Sequence, residues 1–130
     1  MPSMQEKNLY EYAVLRFVPS IEREEFVNVG LVMMCKRRRW IKLDYVLDPR
    51  RLGAFPSELC AGDLEPELDG FRRIADGDRA AGPIAEYPVE ERFRWLTAAK
   101  SACLQTSRPH PGLTDDLDAT FARLYAELVL

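Results

Sequence analysis

The hydrophobic period of this chain changes once, near residue 48, and that change limits the folds open to it. Before it the period is two. From Asn8 to Val18, Leu9, Ala13, Leu15 and Phe17 alternate with Tyr10, Tyr12 and Val14. Both faces are apolar, as in a central strand covered on two sides. Pro19 removes a ladder donor and is expected to end it. Phe26 to Cys35 reads as a second strand and Lys36 to Arg39 as a tight polar turn. Trp40 to Leu47 reads as a third, with Ile41, Leu43, Tyr45 and Leu47 opposite Lys42 and Asp44. Links this short predict an antiparallel meander, because parallel pairs need a long crossover.

After residue 48 the period approaches four. Asp48-Pro49 opens a short helix carrying Leu52 and Phe55. Asp63 can cap a second, in which Leu64, Leu68, Phe71 and Ala75 share a stripe. Ala80 to Pro83 is linker-like but too short to separate a pair of domains. Pro88 begins a helix through about Ala102, with Val89, Phe93, Leu96 and Ala99 on one face. Leu104 to Pro111 is extended, and Leu104-Gln105-Thr106 can add an edge strand. Thr114 then caps a last helix striped by Leu117, Phe121, Leu124 and Leu128. Strands first and helices later predict an α+β fold. The expected form is an antiparallel sheet of three to four strands with three to four helices packed on it, in one domain over residues 1–130.

Composition narrows the class. A chain of 130 residues, 47% hydrophobic and 30% charged, matches one globular domain rather than a disordered or fibrous chain. Its longest apolar run, Val29 to Cys35, is too short to span a bilayer. No apolar stretch follows the first residues, so no secretory signal is expected. Cys35, Cys60 and Cys103, odd in number and widely spaced, argue against a disulfide framework and fit a reducing cytoplasm. With one histidine they match no metal-ligand spacing, and no phosphate-binding or dinucleotide motif occurs, so neither metal nor cofactor is expected.

The stretch Tyr10-Glu11-Tyr12-Ala13-Val14-Leu15-Arg16-Phe17-Val18-Pro19, followed by Glu25-Phe26-Val27-Asn28-Val29-Gly30-Leu31-Val32, resembles the opening of a bacterial family catalogued as domain of unknown function 3037 (DUF3037). Glu91-Arg92-Phe93-Arg94-Trp95-Leu96-Thr97, Leu104 to Pro109, Gly112-Leu113-Thr114 and the final helix are similar to the same family, so the resemblance covers residues 8–129. It implies a small bacterial cytoplasmic protein, encoded beside a kinase-like protein similar to the HipA toxin family. The expected role is therefore a non-enzymatic protein-interaction module, with that kinase-like protein or a second copy of the chain as partner. The resemblance assigns no catalytic residue.

Four stretches can carry chemistry. Glu25, Asn28 and Gly30 lie in one strand, where a glycine admits a ligand or another backbone and an asparagine can bind it. The same pattern fits a bulge. Arg92 lies beside the apolar face of its helix, where its fork can grip an anion or pair with a strand carboxylate such as Glu25. Gln105 and Ser107 can complete a polar pocket with these residues. Such a pocket is the alternative reading, a ligand binder or small enzyme. Ser107 with His110 lacks the elbow and the orienting acid that a nucleophilic serine needs. Lys36, Arg37, Arg38 and Arg39, followed by Trp40, form a basic hairpin tip. It can steer an acidic partner or, less favourably, sit on a nucleic-acid backbone. Residues 1–50 carry a balance of +2 and residues 51–130 one of −5, and this acidic remainder disfavours nucleic acid. An apolar docking patch is expected around Met33, Met34 and Trp40 or along the last helix.

Overall fold

Both faces of the first strand are apolar, and the fold covers both. The computed structural model describes residues 7–20, 25–48, 50, 58–98 and 103–130, with the backbone alone at 19, 20, 25 and 58–63. Strand β1 (Asn8–Ser20) pairs antiparallel along one side with β2 (Glu25–Cys35), which in turn pairs with β3 (Trp40–Tyr45). The other side of β1 is shared by β4 (Leu104–Thr106) and β5 (His110–Thr114), both antiparallel to it.

The front face of the sheet carries Ala13, Leu15, Phe17, Val32, Met34 and Leu43. Against it pack Leu64, Leu68 and Phe71 of α1 (Glu58–Ala75) and Val89, Phe93 and Leu96 of α2 (Val89–Ala98). The rear face carries Tyr10, Val14, Leu31 and Met33. It is closed by Phe121 and Leu124 of α3 (Leu117–Leu128) and by Val129. Each large side chain buried in these layers contributes about 1.5–3 kcal/mol by leaving water.

One irregularity sets what faces where. Leu15 stands opposite Gly30 but Arg16 stands opposite Asn28, so Val29 is an extra residue on β2. A β-bulge of this kind switches the facing of the residues beyond it. Gly30 is required there by close packing: a β-carbon would lie 2.8 Å from the Asp44 carbonyl oxygen and 2.9 Å from Leu15 Cδ1. The Val29 carbonyl accepts from the Val46 N–H at 2.8 Å and ties the end of β3 to the bulge.

The α+β class and the helical stripes are as the sequence predicts; several boundaries differ. β1 continues through Pro19 to Ser20, because the pairing with β2 is already irregular between Phe17 and Ser20 and needs no donor at each position. The stretch after Ser107 forms a fifth strand, and Pro111 is tolerated there because β5 is an edge. Asp116, not Thr114, caps α3: its Oδ1 accepts from the Ala119 N–H at 3.0 Å. Thr114 Oγ1 is instead 2.6 Å from Thr120 Oγ1. The linker-like stretch holds two 3₁₀ turns, Arg79–Ala81 and Pro83–Glu86. The predicted helix around Leu52 and Phe55, and Ala99, lie outside the described residues.

Cys35 is a free buried thiol, but Cys103 is disulfide-bonded, to a sulfur outside the described side chains. The expectation of unpaired cysteines is corrected on this point, since sequence spacing does not report which Cα atoms the fold brings together. Among the described residues no helix is long and apolar enough to cross a membrane.

Candidate functional site

Direct partners across antiparallel strands point their side chains to the same face. Arg16 in β1 is opposite Asn28 in β2 and opposite Gln105 in β4. The three therefore form one polar row across three strands of the rear face, beyond the apolar patch that α3 covers. The Arg16 guanidinium lies over the Phe26 ring, 4.4 Å from its centroid, and that ring is 49% exposed. Asn28 Nδ2 donates to the Leu128 carbonyl at 2.9 Å, which closes the C-terminal end of α3. Its Oδ1 and Arg16 Nε are both buried without a hydrogen-bond partner among the described residues. The bulge creates this arrangement: without the extra Val29, Asn28 would not stand opposite Arg16.

Of the residues the sequence singles out for a pocket, Asn28 and Gln105 meet in this row, and Arg16 between them is one that sequence reasoning missed. The missed signal is a cation in the apolar alternation of β1, where Tyr10, Tyr12, Val14 and Val18 share its period-two face. Arg92 lies on the far side of the sheet. Its Nε donates to the Tyr87 carbonyl at 2.8 Å, and its Nη1 to those of Ala75 at 2.9 Å and Ile74 at 3.3 Å. It thus satisfies the Ala75 carbonyl at the end of α1 and adds a second donor to that of Ile74, which already accepts from the Gly77 N–H at 3.1 Å. Ser107 Oγ accepts from the buried Val14 N–H at 2.8 Å and takes the place of a ladder carbonyl where β4 leaves β1. His110 is exposed and lies over Tyr12, ring centroids 5.3 Å apart. Gly30 serves the bulge, and the side chain of Glu25 is outside the described atoms. Asn28 and Arg92 thus share no pocket among the described residues.

The front face holds a second arrangement. Met33 and Met34 are core residues, 0% and 5% exposed, and Trp40 packs edge-on against Phe121. No docking patch exists there among the described residues, because the pleat turns Met33 to the rear core and Met34 to the front. The open apolar surface lies instead at the corner where β1 meets β5. Leu9 and Leu113 are direct partners and each is 61% exposed. Beside them a cavity of about 270 Å³ is lined by Met34, Phe93, Pro109, Glu11, Lys36 and Arg94. A second, of about 540 Å³, shares Lys36 and Glu90 with it and adds Arg39, Tyr87 and Arg92. Together they make one cleft between the basic turn and the start of α2.

Arg39 has φ 51°, the only left-handed non-glycine among the described residues. Glycine is the usual occupant, since a β-carbon there costs about 1–2 kcal/mol. Arg38 Nε donates to Asn8 Oδ1 at 3.3 Å and ties the turn to the start of β1.

A family model described as "Protein of unknown function (DUF3037)" matches residues 12–129, nearly the whole chain. The chain belongs to this family. The DUF3037 match includes Arg16, Asn28 and Gln105 and both strands of the bulge, but not Leu9. No curated protein and no solved structure matches the chain.

Proposed function

We propose that this DUF3037 chain is a non-enzymatic recognition module that takes an acidic, apolar-tipped segment of a partner protein at the β1–β5 corner. The observation that carries the reading is the pair Leu9 and Leu113, both 61% exposed and side by side next to the cleft. Exposed apolar surface adjoining a cavity is the usual mark of an interaction site. The charge around it favours an acidic partner. Lys36, Arg39 and Arg94 rim the cleft, while Glu11 and Glu90 are its acids without an ion pair among the described residues, and Glu86 is held by Arg79 at 3.0 Å. Arg37 and Arg38 add to the positive side, which speeds encounter with an acidic surface more than it adds affinity. The kinase-like protein implied by the family resemblance is the first partner to try.

The test is capture of that kinase-like protein, co-expressed with the tagged chain, by wild type, by Leu9→Asp/Leu113→Asp and by Arg39→Gly. Wild type should retain it in a stoichiometric complex. The double variant should lose it while melting normally, because both side chains are already in water. Arg39→Gly should melt at the same temperature or higher, since it relieves the left-handed backbone, yet bind more weakly. Equal capture by wild type and the double variant sinks the reading. So does a wild-type dimer that dissociates in the double variant, which would make the corner a self-contact.

A further inference from the structure

We infer that the Asn28–Arg16–Gln105 row on the rear face is a binding site for a carboxylate that carries an N–H or O–H donor on its α-carbon. It is separate from the proposed β1–β5 contact, which lies on the other face. Among the described residues no carboxylate pairs with Arg16, which lies instead against the Phe26 ring. Two polar atoms on directly paired residues, the donor Arg16 Nε and the acceptor Asn28 Oδ1, are buried without partners among those residues. Buried polar groups are normally satisfied, and a guanidinium without an anion is the rarer case. The Phe26 ring lies against the guanidinium at 4.4 Å and supplies no hydrogen-bond acceptor to its Nε.

The two orphan atoms specify the ligand between them. Arg16 offers donors in a planar fork, which matches the two oxygens of a carboxylate. Asn28 is held by its Nδ2 bond to Leu128, so its Oδ1 is fixed in direction and can only accept. A simple anion such as acetate answers the first group and not the second. A carboxylate with a donor on the adjacent carbon answers both. Gln105 closes the row on the β4 side and can rotate its amide to give either a donor or an acceptor. Phe26, half exposed, offers an apolar ledge beside the guanidinium for the rest of the ligand. The same chemistry is found in a free amino or hydroxy acid and in the carboxy terminus of a peptide.

The experiment is an NMR titration of the full chain, following backbone amides and the Arg16 Nε–H, with four probes: N-acetylalanine, lactate, acetate and inorganic phosphate. Saturable shifts centred on Arg16, Asn28 and Gln105 are expected with N-acetylalanine or lactate. Acetate should bind about tenfold more weakly, the loss of one hydrogen bond of about 1.4 kcal/mol. Preference for N-acetylalanine over lactate assigns a peptide terminus, and the reverse a small hydroxy acid. Arg16→Gln should abolish the shifts, and Arg16→Lys, which keeps the charge but not the fork, should weaken binding severalfold with the fold intact. No saturable shift with any probe overturns the inference, as does equal binding of acetate and N-acetylalanine, tighter binding of phosphate, or undiminished binding by a folded Arg16→Lys.

Discussion

Single side chains in this protein act where backbone groups would otherwise be left unpaired. Arg92 meets the carbonyls of Ile74, Ala75 and Tyr87 and so joins the end of α1 to the start of α2. Hydrogen bonds from a charged donor are worth more than neutral ones, and a buried carbonyl left alone costs free energy. Arg92→Met is therefore expected to lower unfolding stability by about 1–3 kcal/mol, read as a shift in the urea midpoint with an unchanged slope. No change would mean that water replaces the guanidinium at no cost. Gly112 shows the converse economy: Tyr10 lies across it so closely that a β-carbon would collide with the ring. In the sequence Arg92 is an arginine on the edge of an apolar stripe, and nothing marks its partners as carbonyls rather than a carboxylate. Arg16 stands out in the sequence as a cation in an apolar strand, but its place in a polar row follows only from its two cross-strand neighbours.

At the scale of elements, junctions carry the specificity. α1 contains Pro66, which gives up a helical hydrogen bond, and its hold on the sheet comes from Leu64, Leu68, Phe71 and Ile74. Its outer face is linked to β3 by Arg72, whose guanidinium lies 4.9 Å from the Tyr45 ring centroid and 3.1 Å from Asp69. Burial raises the Tyr45 phenol above 10.0 even though Arg72 pulls the other way. Where α1 ends, Arg73 Nε donates to the Asp78 carboxylate at 2.9 Å, and the other Asp78 oxygen caps the next 3₁₀ turn at Ala80. The Arg73 bond, followed by the Ala80 N–H, holds the Asp78 pKa below its ordinary 3.8. A depressed carboxylate stabilises the fold above its unfolded pKa, and that contribution is lost as pH falls through the folded value. Wild type should therefore lose stability on going from about pH 5 to about pH 3 more steeply than Asp78→Asn, measured by urea midpoints at both values. Because the pair is exposed, the difference should be small and should shrink in high salt. A variant as pH-dependent as wild type would remove Asp78 from the account.

For the whole molecule, the sheet has two faces with different tasks. Among the described residues α3 packs on its rear beside the polar row, and α1 and α2 pack on its front, where the β1–β5 corner leaves Leu9 and Leu113 exposed. Net charge is −3, with the basic turn as a local exception. Trp40 is packed against Phe121 and is not free to stack on a base. The chain should therefore pass through heparin at low salt without retention, and retention that disappears in Arg37→Ala/Arg38→Ala/Arg39→Ala would reverse that view. The sequence by itself determined the α+β class, the first three strands and the helical stripes, because alternation and four-residue spacing are local properties of where apolar groups can be buried. It also marked Asn28, Gly30, Arg92, Gln105 and Ser107 as unusual for their surroundings. Only the tertiary structure decided what each does. One extra residue at Val29 sets which side chains face Arg16, and the pairing of β1 with both β4 and β5 brings Gln105 to it from 89 positions away. The pairing of β1 with β5 sets Leu9 beside Leu113, and both stand bare. Register and coverage arise from contacts between distant segments, and no local pattern of residue types contains them.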